Sequence, residues 1–308
     1  MPTRRDPDKL VAPEAALAGI APGALIAVGG VLHDNKPVAL ERALARAGCR
    51  DLKYIGLSGS GYDLDILIAA GGVISETFVP VVSFDDIGFA PAYRWALEER
   101  TLVAHIVDVG TVMPGYFAGA SGVPFHPVTA IRGSDVTKHN PLVSEVTWRN
   151  GEKVPVVAAI MPDVALIHAR EADRHGNARL YGSTAEADRM IARAARRVVI
   201  SCDRLVPTSR FEQDPIATTI PGMYVDAVCH LPFGAHPCGS PAEYGPDVAF
   251  LRQYWEIVEA ARRAKDRSPV RAYLDKFIYG CRAHDDYLAL LDSATLARLC
   301  MGGADARR

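Results

Sequence analysis

Along the first two thirds of this chain, short β-branched and aliphatic runs alternate with stretches whose apolar positions recur every three to four residues. That alternation predicts a mostly parallel sheet flanked by helices. Strands are expected at Ala24–Val28, Leu52–Leu57, Val73–Val79, Leu102–Val107, Val154–Ala159, Val164–His168 and Val198–Cys202. One helix opens at Pro37 and carries Val38, Leu40, Ala43, Leu44 and Ala47 before Gly48 closes it. A second runs to Ala70 with Asp63 as its N-cap, and others cover Pro91–Glu99 and Ala185–Ala195. Polar residues from Arg132 to Gly151 read as a long loop. Beyond about residue 245 the β-rich runs stop, and helical stretches centre on Trp255, Tyr273 and Leu288. The expected architecture is α/β: an open, mostly parallel sheet with flanking helices and a helical C-terminal extension over about 245–308. With no repeat, low-complexity tract or Pro/Gly linker, one domain over 1–308 is the simplest division.

Composition narrows the classes of function. In 308 residues, 49% hydrophobic content against 23% charged is enough for a substantial core and excludes a disordered chain. A net charge of −2 offers no general attraction to nucleic acid or anionic lipid, so neither is expected as a partner. The longest apolar stretch, Val154 to Ile167, is broken by Pro162 and Asp163 and is too short to span a bilayer. Arg4 and Arg5 are followed by the acidic, proline-containing stretch Asp6–Glu14 where an export signal needs an apolar core. Six scattered cysteines without a Cys-x-x-Cys pair fit reduced thiols, and together these features predict a cytoplasmic protein.

Candidate chemistry gathers where the first two strands end. Ligands of parallel sheets bind at the carboxyl ends of the strands, which here means Gly29 to Pro37 and Ser58 to Tyr62. Glycines let a backbone approach a ligand closely, helix-start amides hold phosphate or an oxyanion, and Lys36 adds a point charge. The same residues serve equally well as ordinary tight turns. Gly59-Ser60-Gly61 has Leu64 where a dinucleotide fingerprint needs its third glycine, and there is no Walker A run. Gly56-Leu57-Ser58-Gly59-Ser60 lacks the second glycine of a nucleophile elbow. Ser58 and Ser60 are therefore read as hydroxyl donors to a substrate oxygen, or as turn residues. Cys229-His230 with His236-Pro237-Cys238 matches no standard zinc spacing, so no metal is expected. His168 and His175 flank the acidic segment Glu171–Asp173, which fits a general base or a capped turn.

His168-Ala169-Arg170-Glu171-Ala172-Asp173-Arg174-His175-Gly176-Asn177-Ala178 resembles the strand-to-turn signature of family I coenzyme A transferases, with Ala-Asp and Gly-Asn at its core. Gly29-Gly30 with Lys36-Pro37, Gly122-Val123-Pro124-Phe125 with Gly133-Ser134-Asp135, and Val225–Val228 leading to Gly234–Pro237 agree in order over about residues 20 to 240. The layout, with its helical tail, is most similar to glutaconate-type A (alpha) chains. The resemblance implies a heteromer with a B (beta) subunit, with acyl-CoA and a small carboxylic acid as substrates, and coenzyme A as co-substrate with no permanently bound cofactor. It places the nucleophilic glutamate on the partner chain, so no catalytic nucleophile is expected in this one. It assigns substrate contacts to Ser58, Gly59 and Ser60, and a CoA or oxyanion loop to Gly29, Gly30 and Lys36. Related two-subunit enzymes that open steroid-derived rings use a glutamate of their A-type chain; the corresponding segment here, Asp108-Val109-Gly110, has Val109. A non-catalytic ligand-binding relative is the remaining alternative.

Overall fold

The computed structural model describes residues 7–183 and 185–305, of 301–305 the backbone alone; Arg4 and Arg5 lie outside the described residues. Seven strands form the central sheet: Leu25–Val28 (β1), Leu52–Gly56 (β2), Ile74–Phe78 (β3), Val103–Ala104 (β4), Val164–Ala172 (β5), Val198–Leu205 (β6) and Ala227–His230 (β7). Their order is β7-β6-β5-β1-β2-β3-β4, and every neighbouring pair is parallel. Ala178–Arg179 folds back antiparallel on the end of β5. The chain runs outward from β1 through β2, β3 and β4, then returns to the other side of β1 with β5. That reversal makes the carboxyl end of β1 a topological switch point, where an open α/β sheet leaves a crevice.

Alternation along the strands feeds two cores. Ile26, Val28, Tyr54, Leu166 and Val199 pack on one face beneath the helices Val38–Arg46 and Tyr62–Ala69 and the tail. Ala27, Ile55, Ala165, Ile167 and Ile200 face the other way, beneath the helices Val109–Ser121 and Ala185–Ala194. Strands buried on both faces need near-continuous apolar sequence, which Val164–Ile167 supplies. The expected helical tail is present as Val248–Ala264, Ser268–Leu274, His284–Leu288 and Ser293–Asp305. Tyr254, Tyr273, Phe250 and Phe277 cluster over Tyr62, whose hydroxyl lies 3.0 Å from that of Tyr273.

Three local expectations are corrected. Residues 132–151 are not one long loop: they hold the short helix Val136–His139 and the strand Val143–Thr147. That strand pairs with Lys153–Ala158 in a small antiparallel sheet completed by Phe125–Pro127, so the run expected at 154–159 lies outside the main sheet. The helix Val109–Ser121 was hidden by Gly110, Gly115, Gly119 and Pro114. Gly115 and Gly119 are packing devices, since a Cβ on Gly115 would stand 2.5 Å from Ile160 Cδ1 and one on Gly119 would strike the Ile160 carbonyl. Finally, Asp63 lies inside its helix rather than at the N-cap, which is Gly61. Among the described residues no helix is long and apolar enough to cross a membrane.

Asp65 ties the layers together from a fully buried position: it accepts from the Ala92 and Tyr93 amides at 3.2 and 2.7 Å and from the Tyr254 hydroxyl at 2.9 Å. It thereby caps the helix Pro91–Glu98 in trans and anchors the tail. Burial pushes its carboxyl up to about 7 despite these donors. The folded state then holds the proton more tightly than the unfolded chain, so this contribution is complete below about pH 4 and is lost as pH rises through about 7, roughly 4 kcal/mol in all. Urea unfolding across pH 4 to 8 should show a steeper fall in stability for the wild type than for Asp65→Asn; parallel curves would contradict this placement of the proton.

Candidate active site

Three loops meet at the carboxyl end of the sheet: 29–37 after β1, 57–61 after β2 and 231–239 after β7. Leu32 N–H donates to Gly59 O at 3.0 Å, Asn35 N–H to Gly239 O at 2.8 Å, and Gly239 N–H to His33 O at 2.6 Å. Gly30, at φ +73°, makes the first loop possible, because a Cβ there would fall 2.6 Å from the Asn35 carbonyl carbon. The loops are thus joined backbone to backbone before any side chain contributes.

Beneath the turn at 58–61 lies a buried polar network. Lys36 Nζ is 2.9 Å from Asp63 Oδ2, with both side chains almost wholly excluded from solvent. Asp63 also accepts from Tyr54 Oη at 2.6 Å and from Gly61 N–H at 2.6 Å. Lys36 further donates to Ser60 Oγ at 3.4 Å, and Tyr54 Oη lies 3.1 Å from the same hydroxyl. Tyr54 gives its single proton to Asp63, so Ser60 is the donor in that last contact. Burial works to raise Asp63, yet the Lys36 ammonium and the hydrogen bonds from Tyr54, Lys36 and Gly61 hold its carboxyl below the ordinary value. Glu41, fully buried nearby without a hydrogen-bond partner among the described residues, is pushed well up by burial and by the Asp63 charge. Burial and the Asp63 charge thus oppose ionisation of Glu41 beside the ion pair, while Lys36 and Arg42 favour it less strongly.

This arrangement sorts the residues singled out from sequence. Gly29 N–H donates to Leu166 O at 2.9 Å and Gly30 N–H to Asp188 Oδ1 at 2.9 Å, so both amides are engaged within the protein. A Cβ on Gly29 would meet Asp188 Oδ1 at 2.7 Å, and one on Gly59 would meet Leu32 Cδ2 at 2.8 Å. Lys36 points inward to Asp63 rather than out to a phosphate, and Ser60 is wholly buried within the network. Ser58 differs: its Oγ has no hydrogen-bond partner among the described residues. The sequence points to the loop that holds His33 but not to His33 itself; Tyr54 reads as an ordinary strand residue, and Asp188 meets Gly30 from a distant helix that no motif marks.

The Ala-Asp/Gly-Asn signature proves to be a turn. Asp173 accepts from the His175 and Asn177 amides and the Asn177 side chain at 2.9 to 3.0 Å, while Asn177 accepts from Gly222 N–H at 2.9 Å. His168 bridges Ser201 Oγ at 2.9 Å and Asp203 Oδ2 at 3.0 Å. These three residue types form a nucleophilic triad in other settings, but His168 and Ser201 have no solvent exposure here and clamp β5 to β6. Asp108 is the N-cap of the helix Val109–Ser121, accepting from Thr111 Oγ1 at 2.9 Å. No group of three or more metal-ligating side chains is present among the described residues.

The sequence profile of the Coenzyme A transferase family matches residues 11–231. An uncharacterized protein of Archaeoglobus fulgidus is 31% identical over 291 residues, covering 94% of this chain, which spans only 63% of that protein's length. The A chain of glutaconate CoA-transferase from Acidaminococcus fermentans is 30% identical over 89% of this chain and 88% of its own; the crystal structure of that enzyme superposes with a TM-score of 0.87 over 94% of this chain and 95% of the matched one. A cholesterol ring-cleaving hydrolase IpdA subunit of Rhodococcus jostii is 31% identical over 92% of this chain and 95% of its own.

Removing one member of a buried ion pair leaves the other charge uncompensated, at a cost of about 3 to 5 kcal/mol. Lys36→Met should therefore lower unfolding free energy by about that amount, with the double variant Lys36→Met/Asp63→Asn recovering at least about half of it. Urea titrations of the three proteins measure both numbers. A single variant indistinguishable from wild type would show that the pair does not hold the turn.

Proposed function

Since the chain belongs to the coenzyme A transferase family, we propose that it is the A-type subunit of a heteromeric CoA-transferase moving CoA between an acyl-CoA and a small carboxylic acid of the glutaconate or 3-oxo type. In this reading a glutamate carboxylate of a B-type partner attacks the thioester carbonyl. The C–S bond breaks and the CoA thiolate leaves a mixed anhydride. The thiolate then attacks the glutamyl carbonyl, releasing the first acid as its carboxylate and leaving a glutamyl-CoA thioester. A second acid reverses both steps. Splitting one transfer into two acyl exchanges at an enzyme carboxylate lowers each barrier.

The observation that carries this reading is the asymmetry of the crevice. The Ser58 hydroxyl has no hydrogen-bond partner among the described residues, whereas the Asp63 carboxylate below the turn is engaged by Lys36, Tyr54 and the Gly61 amide. A hydroxyl without a carboxylate nucleophile beside it suits a chain that orients the acid while another supplies the attacking oxygen. Gly59 and Ser60 then shape the turn that presents Ser58, and Gly29, Gly30 and Lys36 set the loop against it. Exposed Val103 on β4, Ile106 just after it, Phe117 on the following helix, Val123 beyond that helix and Phe125 in the side sheet supply apolar surface of the kind a permanent partner covers.

The Rhodococcus relative favours a second reading, a ring-opening hydrolase of CoA thioesters. It requires a carboxylate at the head of the helix Val109–Ser121, where Val109 is apolar and Asp108 is engaged as the cap. Co-expression with a B-type chain separates the readings. Transfer of CoA from an acyl-CoA to an added acid, with hydroxylamine-sensitive labelling of a partner glutamate, is expected of the complex and not of the lone chain. Ser58→Ala should reduce kcat/KM about 10- to 100-fold, the loss of one or two hydrogen bonds to a charged group. Thioester consumption without an acceptor acid would favour the hydrolase; binding without turnover by the complex would favour a non-catalytic relative.

A further inference from the structure

Unpartnered buried polar atoms concentrate on the interlocked loops. His33 Nδ1 and Nε2, Asn35 Oδ1, Ser58 Oγ and Ser240 Oγ are all excluded from solvent and without hydrogen-bond partners among the described residues. Asn35 and Ser240 flank the Gly239 junction, where the loops after β1 and β7 bond to each other. His33 lies on the side of Ser58: its neighbour Leu32 is bonded to Gly59, its Cε1 would be 3.5 Å from a Cβ on Gly61, and its ring centroid is 6.1 Å from that of Phe84. An imidazole always carries at least one N–H donor, and burying donor and acceptor unmatched costs about 1 to 3 kcal/mol for each group. Elsewhere in this fold buried histidines are matched: His168 by Ser201 and Asp203, His236 by Tyr287 and Asp247. His33 is the exception, and it stands beside the turn that presents Ser58.

We propose that His33 is a specificity-determining residue, binding a second oxygen function on an acid whose first carboxylate is held at Ser58. Leu32, next to His33, is bonded to Gly59, next to Ser58, and the His33 ring reaches Gly61, three residues from Ser58, which keeps the two anchors within about 15 Å of each other. The two anchors therefore suit a short acid with polar groups at both ends, a dicarboxylate or an oxo acid, over a monocarboxylate of equal length. This inference rests on the transferase reading for the identity of the ligand, but the unmatched imidazole stands independently of it.

Two measurements test it. In the complex with its B-type partner, His33→Phe keeps a ring beside Phe84 and removes both nitrogens. Its KM should rise for glutarate at least about tenfold more than for pentanoate, with partial restoration by His33→Gln and a thermal midpoint close to wild type. Equal changes for both acids, or none, would overturn the proposal. In the isolated chain, the His33 ring resonances of a 15N-labelled sample should shift on adding glutarate and not pentanoate; immobile resonances would also overturn it. If the wild-type complex transfers CoA to neither acid, the transferase reading fails by itself, and the resonance experiment still decides whether His33 binds a diacid.

Discussion

The ion pair between Lys36 and Asp63 is the interaction on which the crevice depends, because it joins the loop after β1 to the helix after β2 at a depth water does not reach. Two charges so placed are tolerated only when each is closely matched. Asp63 is matched by an ammonium, a tyrosine hydroxyl and a backbone amide, and Lys36 by the carboxylate and the Ser60 hydroxyl. Every one of these partners belongs to a segment at the mouth of β1 or β2. The geometry of the turn at 58–61 is therefore set from below, and burial together with the Asp63 charge disfavours ionisation of Glu41 beside the pair.

That foundation separates polar groups that hold the fold from those with no hydrogen-bond partner among the described residues. Ser60 and the Gly29 and Gly30 amides belong to the first kind, since each has a protein partner. Ser58 and His33 belong to the second. The distinction matters more than residue type: His168 between Ser201 and Asp203 has the composition of a catalytic triad and none of its access. A buried hydroxyl with its partners in place rigidifies a sheet, whereas one left unmatched carries an uncompensated cost of burial.

The helical tail completes the same logic on the same face of the sheet. Asp65 borrows the open amides of the helix Pro91–Glu98 and the hydroxyl of Tyr254. It sits two residues beyond Asp63 on the same short helix. One eight-residue segment thus anchors the turn at one end and the aromatic layer of the tail through its middle.

Most strands of the main sheet, its parallel character and the helical tail were legible in the amino-acid pattern, because burial on both faces demands near-continuous apolar strands and helices demand a 3.6-residue period, but β7 and the side-sheet strand Val143–Thr147 were not. The family resemblance was legible too, since Asp173, Gly176 and Asn177 form a local turn whose bonds join residues close in the chain. The helix at 109–121 was not: its glycines and proline oppose helix locally, and they are accepted because Ile160 lies against its small-residue face. Nor could a pattern distinguish Ser58 from Ser60, or show that Lys36 faces inward. Those outcomes depend on Tyr54, Asp63 and Asp188 arriving from separate strands and helices, and hydrogen bonds between distant segments leave no periodic trace in a single chain.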